Sequence, residues 1–116
     1  MNKSKVGNPI SKGWYADPEA RIFNDTYWIY PTYSASYEEQ TYFDAFFSKD
    51  LITWTKVENI LEKKDFSWVT KAIWAPSPIE FKGKFYIYFA ANDIQSDFEL
   101  GGIGVGVPDT PNGPFK

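Results

Sequence analysis

Hydrophobic and polar residues alternate along several short runs of this sequence, a period that predicts β-strands. Two hairpins are the clearest: residues 21–23 and 27–30 flank Asn24-Asp25, and residues 79–81 and 85–89 flank Lys82-Gly83. Two-residue turns of this kind connect antiparallel strands. Further strands are predicted at 42–48, 54–57 and 103–107. We expect a helical turn or a loop with solvated charges at 59–65, and a loop at 90–102.

The two hairpins form an internal repeat. Tyr27-Trp28-Ile29-Tyr30 lies 58 residues before Phe85-Tyr86-Ile87-Tyr88, and the same offset places Pro18 on Pro76 and Phe23 on Phe81. A repeat of this length built from three or four antiparallel strands is typical of β-propeller blades. Two unrelated hairpins made of common β-forming residues remain the alternative interpretation.

The repeat predicts an all-β fold of antiparallel four-stranded blades. We place blade 1 at residues 14–72 and an incomplete blade 2 at 73–116. A blade buries its faces against its neighbours, and about three or more repeats are usually needed before such a fold is stable alone. We therefore expect the outer faces of two blades to be exposed and the isolated chain to self-associate.

The amino-acid composition limits the partners and the acid–base groups that the chain can use. Aromatic residues make up 20% of the chain, which suits half-buried strands and also flat surfaces that contact sugar rings. The net charge of −3 argues against nucleic acid as a partner, because phosphate binding needs a basic patch. The chain has no cysteine and no histidine, which leaves carboxylates as its acid–base groups.

Targeting and metal signals are weak. The first ten residues are polar and lack the apolar core of an export signal, a pattern compatible with a cytoplasmic protein and equally with an exported one whose signal was removed. No apolar run is long enough for a membrane span. The acidic segment with Asp93, Asp97 and Glu99 lacks the ligand spacing of a calcium loop, so we expect it to be solvated.

Two residues are candidates for chemistry. Asp17 follows Trp14-Tyr15-Ala16 and precedes Pro18, a context in which aspartate is most often a turn residue. In a propeller, however, the start of each innermost strand borders the central cavity, where a carboxylate reaches a ligand. Trp74-Ala75-Pro76-Ser77-Pro78 has the matching place in the second unit, and Trp74 would serve there either as a core residue or as a platform for a sugar.

These motifs together resemble the opening of a family 43 glycoside hydrolase. They are Ala16-Asp17-Pro18, Tyr27-Trp28-Ile29-Tyr30, Ser48-Lys49-Asp50-Leu51-Ile52-Thr53-Trp54, Trp74-Ala75-Pro76 and Gly83-Lys84-Phe85-Tyr86-Ile87-Tyr88, in that order. The family has a five-bladed propeller and acts on arabinosides and xylosides. Related invertase-like propellers carry an Asn-Asp-Pro-Asn-type motif, from which Ala16-Asp17-Pro18-Glu19 departs. The resemblance therefore favours the inverting family.

The resemblance implies roles for particular residues. Asp17 matches the general base, and Trp74 matches the aromatic residue of the sugar subsite. Tyr33, expected on the loop after the first hairpin, lies near a second aromatic position of the family. Asp44 and Asn92 are further candidates for substrate contacts because they flank loops expected on the same face, with a solvated or turn-forming role as the alternative. No cofactor and no metal are implied.

The implied reaction is a single displacement on a carbohydrate substrate. In the family, a glutamate acid and a second aspartate come from later blades, and Glu19, Glu80 and Glu99 do not match the acid position. Five such repeats need about 290 residues. We therefore expect the 116-residue chain alone to be an inactive part of an arabinofuranosidase- or xylosidase-like enzyme. A non-catalytic carbohydrate-binding or self-assembling partial propeller, or a purely structural fragment, is the alternative.

Overall fold

Two antiparallel sheets make up the computed structural model, which describes residues 7–92, 101–108 and 110–116. The first sheet contains, in sequence order, β1 (Tyr15–Phe23), β2 (Thr26–Tyr33), β3 (Tyr42–Ser48) and β4 (Thr55–Glu62). The second contains β5 (Ile73–Phe81), β6 (Lys84–Ala91) and β7 (Gly102–Gly106). The predicted all-β, antiparallel fold is confirmed. The residues at which one blade ends and the next begins, 14–72 and 73–116, stay a prediction.

The core lies between the two sheets. Alternate residues of β2 and of β6 are buried, as the period of a strand requires when one face is covered. The facing aromatic rings of the two sheets meet edge to face. Phe23 and Phe85 have ring centroids 5.2 Å apart, and those of Phe43 and Phe89 are 6.1 Å apart. These contacts hold β1 and β2 beside β5, and they thereby fix the strand starts that carry Asp17 and Trp74.

The backbone repeats at the offset read from the sequence. Asn24 and Lys82, the first residues of the two hairpin turns, both have φ of 51°. In each hairpin, the residue just before the first strand accepts a hydrogen bond through its backbone carbonyl. The donor is the backbone N–H of the residue just after the second strand. Ser34 N–H donates to Trp14 O at 2.7 Å, and Asn92 N–H donates to Ala72 O at 2.8 Å. The turns and the ends of these two hairpins therefore have the same backbone environment 58 positions apart.

The end of β4 corrects the expectation for residues 59–65. The strand continues to Glu62, and only Lys63–Asp65 form a turn of 3-10 helix. The charged residues suggested a solvated loop, but Ile60 and Leu61 are each only 1% exposed and pack into the core. Ala90, Ala91 and Gly102, which were expected in a loop, lie in strands, since β6 runs to Ala91 and β7 begins at Gly102.

The outer face of the second sheet is apolar and open. Ile79, Phe81 and Ile103 are 52%, 58% and 79% exposed. Neighbouring strands β5 and β7 flank β6, so these side chains form one surface with Tyr88 between them. The exposure expected for an outer blade face is therefore present. In the described ranges, no helix has the length and apolar character that crossing a membrane would need.

Candidate functional site

Asp17 lies in a β-bulge near the start of β1. The register with β2 slips between Ala16 and Glu19, so that Asp17 and Pro18 together stand opposite Pro31. A bulge leaves a residue outside the hydrogen-bond ladder, and a proline, which has no N–H, is tolerated there. Asp17 has φ of 49°, a left-handed conformation that aspartate adopts more readily than most residues. Its side chain is exposed.

The second sheet has the same bulge 58 residues later. The register of β5 with β6 slips between Trp74 and Ser77, and Ala75 has φ of 53°. Thr32 of β2 joins the two bulges. The Ala75 N–H donates to Thr32 Oγ1 at 2.7 Å, and the Thr32 hydroxyl donates to Asp17 Oδ2 at 3.2 Å. The carboxylate of Asp17 is thereby linked to the strand that carries Trp74.

Trp74 is half-buried, and one aromatic residue from outside its own sheet packs against it. Tyr37, on the connection between β2 and β3, lies nearly parallel to it, with ring centroids 6.2 Å apart and 13° between the planes. An offset stack of this kind orients the indole without covering it completely. Trp74 keeps part of its surface exposed, and its role, as a sugar platform or as a residue at the edge of the core, stays a prediction.

Tyr33 is the last residue of β2, not a loop residue as expected, because β2 continues to pair with β1 up to the Tyr15–Tyr33 pair. Its ring stacks on Tyr42 at 4.7 Å and meets Tyr15 edge to face at 6.2 Å. Burial is the main cause, and a hydrogen bond with Tyr33 the second, of the rise in the pKa of Tyr42 to about 12. The Tyr42 hydroxyl therefore stays protonated over the ordinary pH range.

Asp44 is buried in β3, and its contacts lie within the first sheet. Its Oδ2 accepts from the Tyr15 hydroxyl at 2.8 Å and lies 3.8 Å from Lys56 Nζ. Its Oδ1 accepts from the backbone N–H of Asn59, in the bulge of β4 opposite Asp44, at 3.0 Å. The pKa of Tyr15 is raised, mainly by burial and to a lesser extent by the hydrogen bond to Asp44. A sugar contact for Asp44 stays a prediction, and the contacts described are structural.

Asn92 lies immediately after β6 and is 1% exposed. Its side-chain Oδ1 accepts from the N–H groups of Thr70 and Lys71 at 2.7 and 3.2 Å, and its Nδ2 donates to Trp68 O at 3.2 Å. These bonds fix the segment leading into β5 and thus the approach to Trp74. No described hydrogen bond joins Asn92 to Asp17. The predicted acidic loop at Asp93, Asp97 and Glu99 lies outside the described residues.

A cleft of about 540 Å³ opens beside β3 and β4, where Tyr42, Asp44 and Lys56 line it. Neither Asp17 nor Trp74 borders this cleft, so it is separate from the candidate site. Within the described ranges, no group of three acidic residues is arranged to hold a metal ion. The candidate site consists of the exposed Asp17 carboxylate near the start of β1 and the half-buried Trp74 near the start of β5, two strand starts that Thr32 connects.

Two residues that contact the candidate site, Thr32 and Tyr37, were not predicted from the sequence. Thr32 reads as an ordinary β-forming residue of β2, and Tyr37 falls on a connection with no periodic pattern. A signal for Thr32 exists, because the 58-residue offset aligns it with Ala90 and so marks a polar residue in one repeat where the other has none. No signal distinguishes Tyr37 from the other aromatic residues.

Antiparallel sheets whose first two strands repeat at a constant offset, each entered through the same bulge, define the protein as a β-propeller. Residues 6–116 match the model of glycosyl hydrolases family 43, and the chain belongs to that family. The resemblance noted from the sequence is confirmed, and the two sheets are blades of the family's five-bladed propeller.

Relatives of known name agree with this assignment. The β-D-galactofuranosidase xynD of Aspergillus niger is 46% identical, over 99% of this chain and 36% of its own length. The xylosidase/arabinosidase 43A of Humicola insolens is 33% identical, over 91% of this chain and 36% of its own length. The chain thus spans about a third of the length of these relatives.

Solved structures show the same arrangement. The GH43_1 enzyme from Xanthomonas citri, crystallised with xylotriose, superimposes with a TM-score of 0.80 at 28% identity, over 92% of this chain and 33% of that one. CoXyl43, a β-xylosidase/α-arabinofuranosidase from a compost metagenome, also in complex with xylotriose, gives a TM-score of 0.79 at 28% identity, over 99% and 37% of the two chains.

Proposed function

We propose that this chain carries the general base, Asp17, of an inverting glycoside hydrolase acting on xylosides or arabinofuranosides of plant-type polysaccharides. The observation that carries the proposal is the exposed Asp17 carboxylate, held through Oδ2 by Thr32. Its Oδ1 receives no hydrogen bond from the described residues. A fixed carboxylate with a free oxygen is suited to take a proton from an attacking water.

The reaction is a single displacement. A carboxylate activates water on one face of the sugar while a carboxylic acid, about 6.5–9.5 Å away, protonates the leaving oxygen on the other. We assign no acid within this chain. Glu19 is the glutamate nearest to Asp17 in sequence, and its carboxylate is engaged with Arg21 at 2.7 Å. Trp74 supplies the aromatic surface against which the sugar rests.

The substrate class has a second candidate. The relative at 46% identity is named a galactofuranosidase, and galactofuranose, like arabinofuranose, is a sugar with a five-membered ring. Aryl β-D-xylopyranoside, α-L-arabinofuranoside and β-D-galactofuranoside, offered in parallel to the full-length protein, distinguish the candidates. Turnover of none of them, with binding of xylo-oligosaccharides retained, would favour the non-catalytic carbohydrate-binding alternative.

Asp17→Asn in the full-length protein tests the base assignment. Asparagine keeps the shape of the side chain but cannot accept the proton, so turnover should fall by about a hundredfold or more. Asp25→Asn is the matched control, because Asp25 is also exposed with positive φ but lies in the turn at the opposite end of β1. Proton NMR of the product formed first should show the inverted anomer.

Near-normal turnover by Asp17→Asn would refute the assignment. A retained anomer in the first product would refute the single displacement while leaving the family membership intact.

A further inference from the structure

We propose that Thr32 is the positioning residue of Asp17, holding its carboxylate in the orientation needed to accept a proton from water. This inference rests on the proposed function, because it assumes that Asp17 is the base. Thr32 does not touch the substrate in this scheme. It acts through a single hydrogen bond, from its hydroxyl to Asp17 Oδ2 at 3.2 Å.

The direction of that hydrogen bond is set by a second one. A threonine hydroxyl has one proton to donate and an oxygen that accepts. Thr32 Oγ1 already accepts from the Ala75 N–H at 2.7 Å, so its proton points to the remaining partner, the carboxylate of Asp17. The three groups form a chain of donors that ends on the negative charge, and hydrogen bonds in such chains strengthen one another.

Thr32 is well placed to hold a fixed geometry. It is 3% exposed, so water does not compete for its hydroxyl, and its β-branched side chain has few accessible rotamers. Its acceptor bond comes from β5 of the second sheet, whereas its donor bond goes to β1 of the first. The orientation of Asp17 therefore depends on the docking of the two blades.

The second blade shows that the bulge does not require a carboxylate at its own position. At the aligned positions of the second blade, Ala75 replaces Asp17 and Ala90 replaces Thr32. The bulge persists there without either polar side chain, and the backbone angle hardly changes, with φ of 49° at Asp17 and 53° at Ala75. The Asp17 carboxylate is therefore not needed to shape the strand, whereas the Thr32 hydroxyl serves both bulges, accepting from the Ala75 N–H and donating to Asp17.

Thr32→Val in the full-length protein removes the hydroxyl at nearly constant shape. We expect kcat on an aryl glycoside substrate to fall by about tenfold or more, as loss of a charge-assisted hydrogen bond allows, with KM changed less than about threefold. Thr32→Ser, which restores the hydroxyl, should recover most of kcat. Thr26→Val is the control, since Thr26 is a buried threonine of the same strand whose hydroxyl, among the residues that the structure describes, donates only to Asn24 O in the turn.

A double variant separates positioning from a structural role. In an Asp17→Asn background, Thr32→Val should lower residual kcat no further, because the two residues act as one unit. The inference is overturned if Thr32→Val has the kcat of Thr26→Val, or if it lowers kcat by the same factor in both backgrounds. If Asp17→Asn alone keeps near-normal turnover, the base assignment fails and the positioning role fails with it. Should Thr32→Val not fold, Thr32→Ala serves in the same comparisons.

Discussion

Gly104 in β7 lies so close to two aromatic rings that an alanine there should destabilise the protein. A Cβ at this position would be 2.6 Å from Trp68 Cζ2 and 2.7 Å from Phe89 Cζ. Carbon atoms pack at about 3.5–4.0 Å, so the rings would have to move apart by about 1 Å. Phe89 is 1% exposed and is enclosed by Phe43 and Phe66, at 6.1 and 5.0 Å between ring centroids.

The expected cost follows from this confinement. Inserting a methyl group into a packed core typically costs about 1–3 kcal/mol. Gly102 provides a matched control on the same face of the same strand, because its Cβ would meet Trp68 at an ordinary 3.7 Å. Gly102→Ala should be stabilising by about 0.4–1 kcal/mol, since alanine restricts the unfolded chain. The two variants should therefore differ by about 1.5–4 kcal/mol.

Urea unfolding of the full-length protein, followed by tryptophan fluorescence, measures the difference. The comparison holds if both variants unfold with the slope of the parent protein, since a changed slope indicates a changed unfolded state or an intermediate. A Gly104→Ala protein as stable as Gly102→Ala would show that the rings of Trp68 and Phe89 yield freely, and it would refute the close-packing argument for β7.

Two further predictions concern the sugar platform and the open sheet face. In the full-length protein, Trp74→Ala should weaken binding of a xylo-oligosaccharide by about 1–2 kcal/mol, whereas a stability loss of about 3–5 kcal/mol with unchanged affinity would place the ring in the core. The isolated 116-residue chain should self-associate, because Ile79, Phe81 and Ile103 leave an apolar face exposed. It should also lack glycosidase activity, because the reaction needs a general acid that we do not assign within it. Light scattering measures the self-association, and an aryl glycoside assay on the same sample measures the activity. An active monomer would contradict both predictions.

The sequence predicted the strands well where local signals were strong. Both hairpins carry two-residue turns between alternating runs, and both formed as expected. The second half of β4 was missed because Glu58, Asn59 and Glu62 surround Ile60 and Leu61 with polar residues. Its burial depends on tertiary contacts, including the parallel bridge between Leu61 and Phe115, which no local pattern encodes.

The candidate site was predictable in part for a related reason. Asp17 precedes a proline at a position that recurs 58 residues later, so the sequence itself marks the bulge. The hydrogen bond from Thr32 depends on how the second sheet docks, and the stacking of Tyr37 on Trp74 depends on the path of a connection. Such contacts between elements are set by tertiary packing, and only the structure reveals them.

A repeated backbone also offers a way to separate chemistry from architecture. At aligned positions of the two blades the bulge and its turn are the same, so side chains that differ there are not dictated by the strand geometry. Ala16 and Asp17 of the first blade stand where Trp74 and Ala75 stand in the second. One blade thus presents a small residue and an acid, and the other an aromatic ring and a small residue. Because Thr32 bridges the two bulges, the docking of the blades sets the orientation of the Asp17 carboxylate relative to the start of β5. If Asp17 is the base, as proposed, changes at that interface should alter turnover without touching the Asp17 side chain.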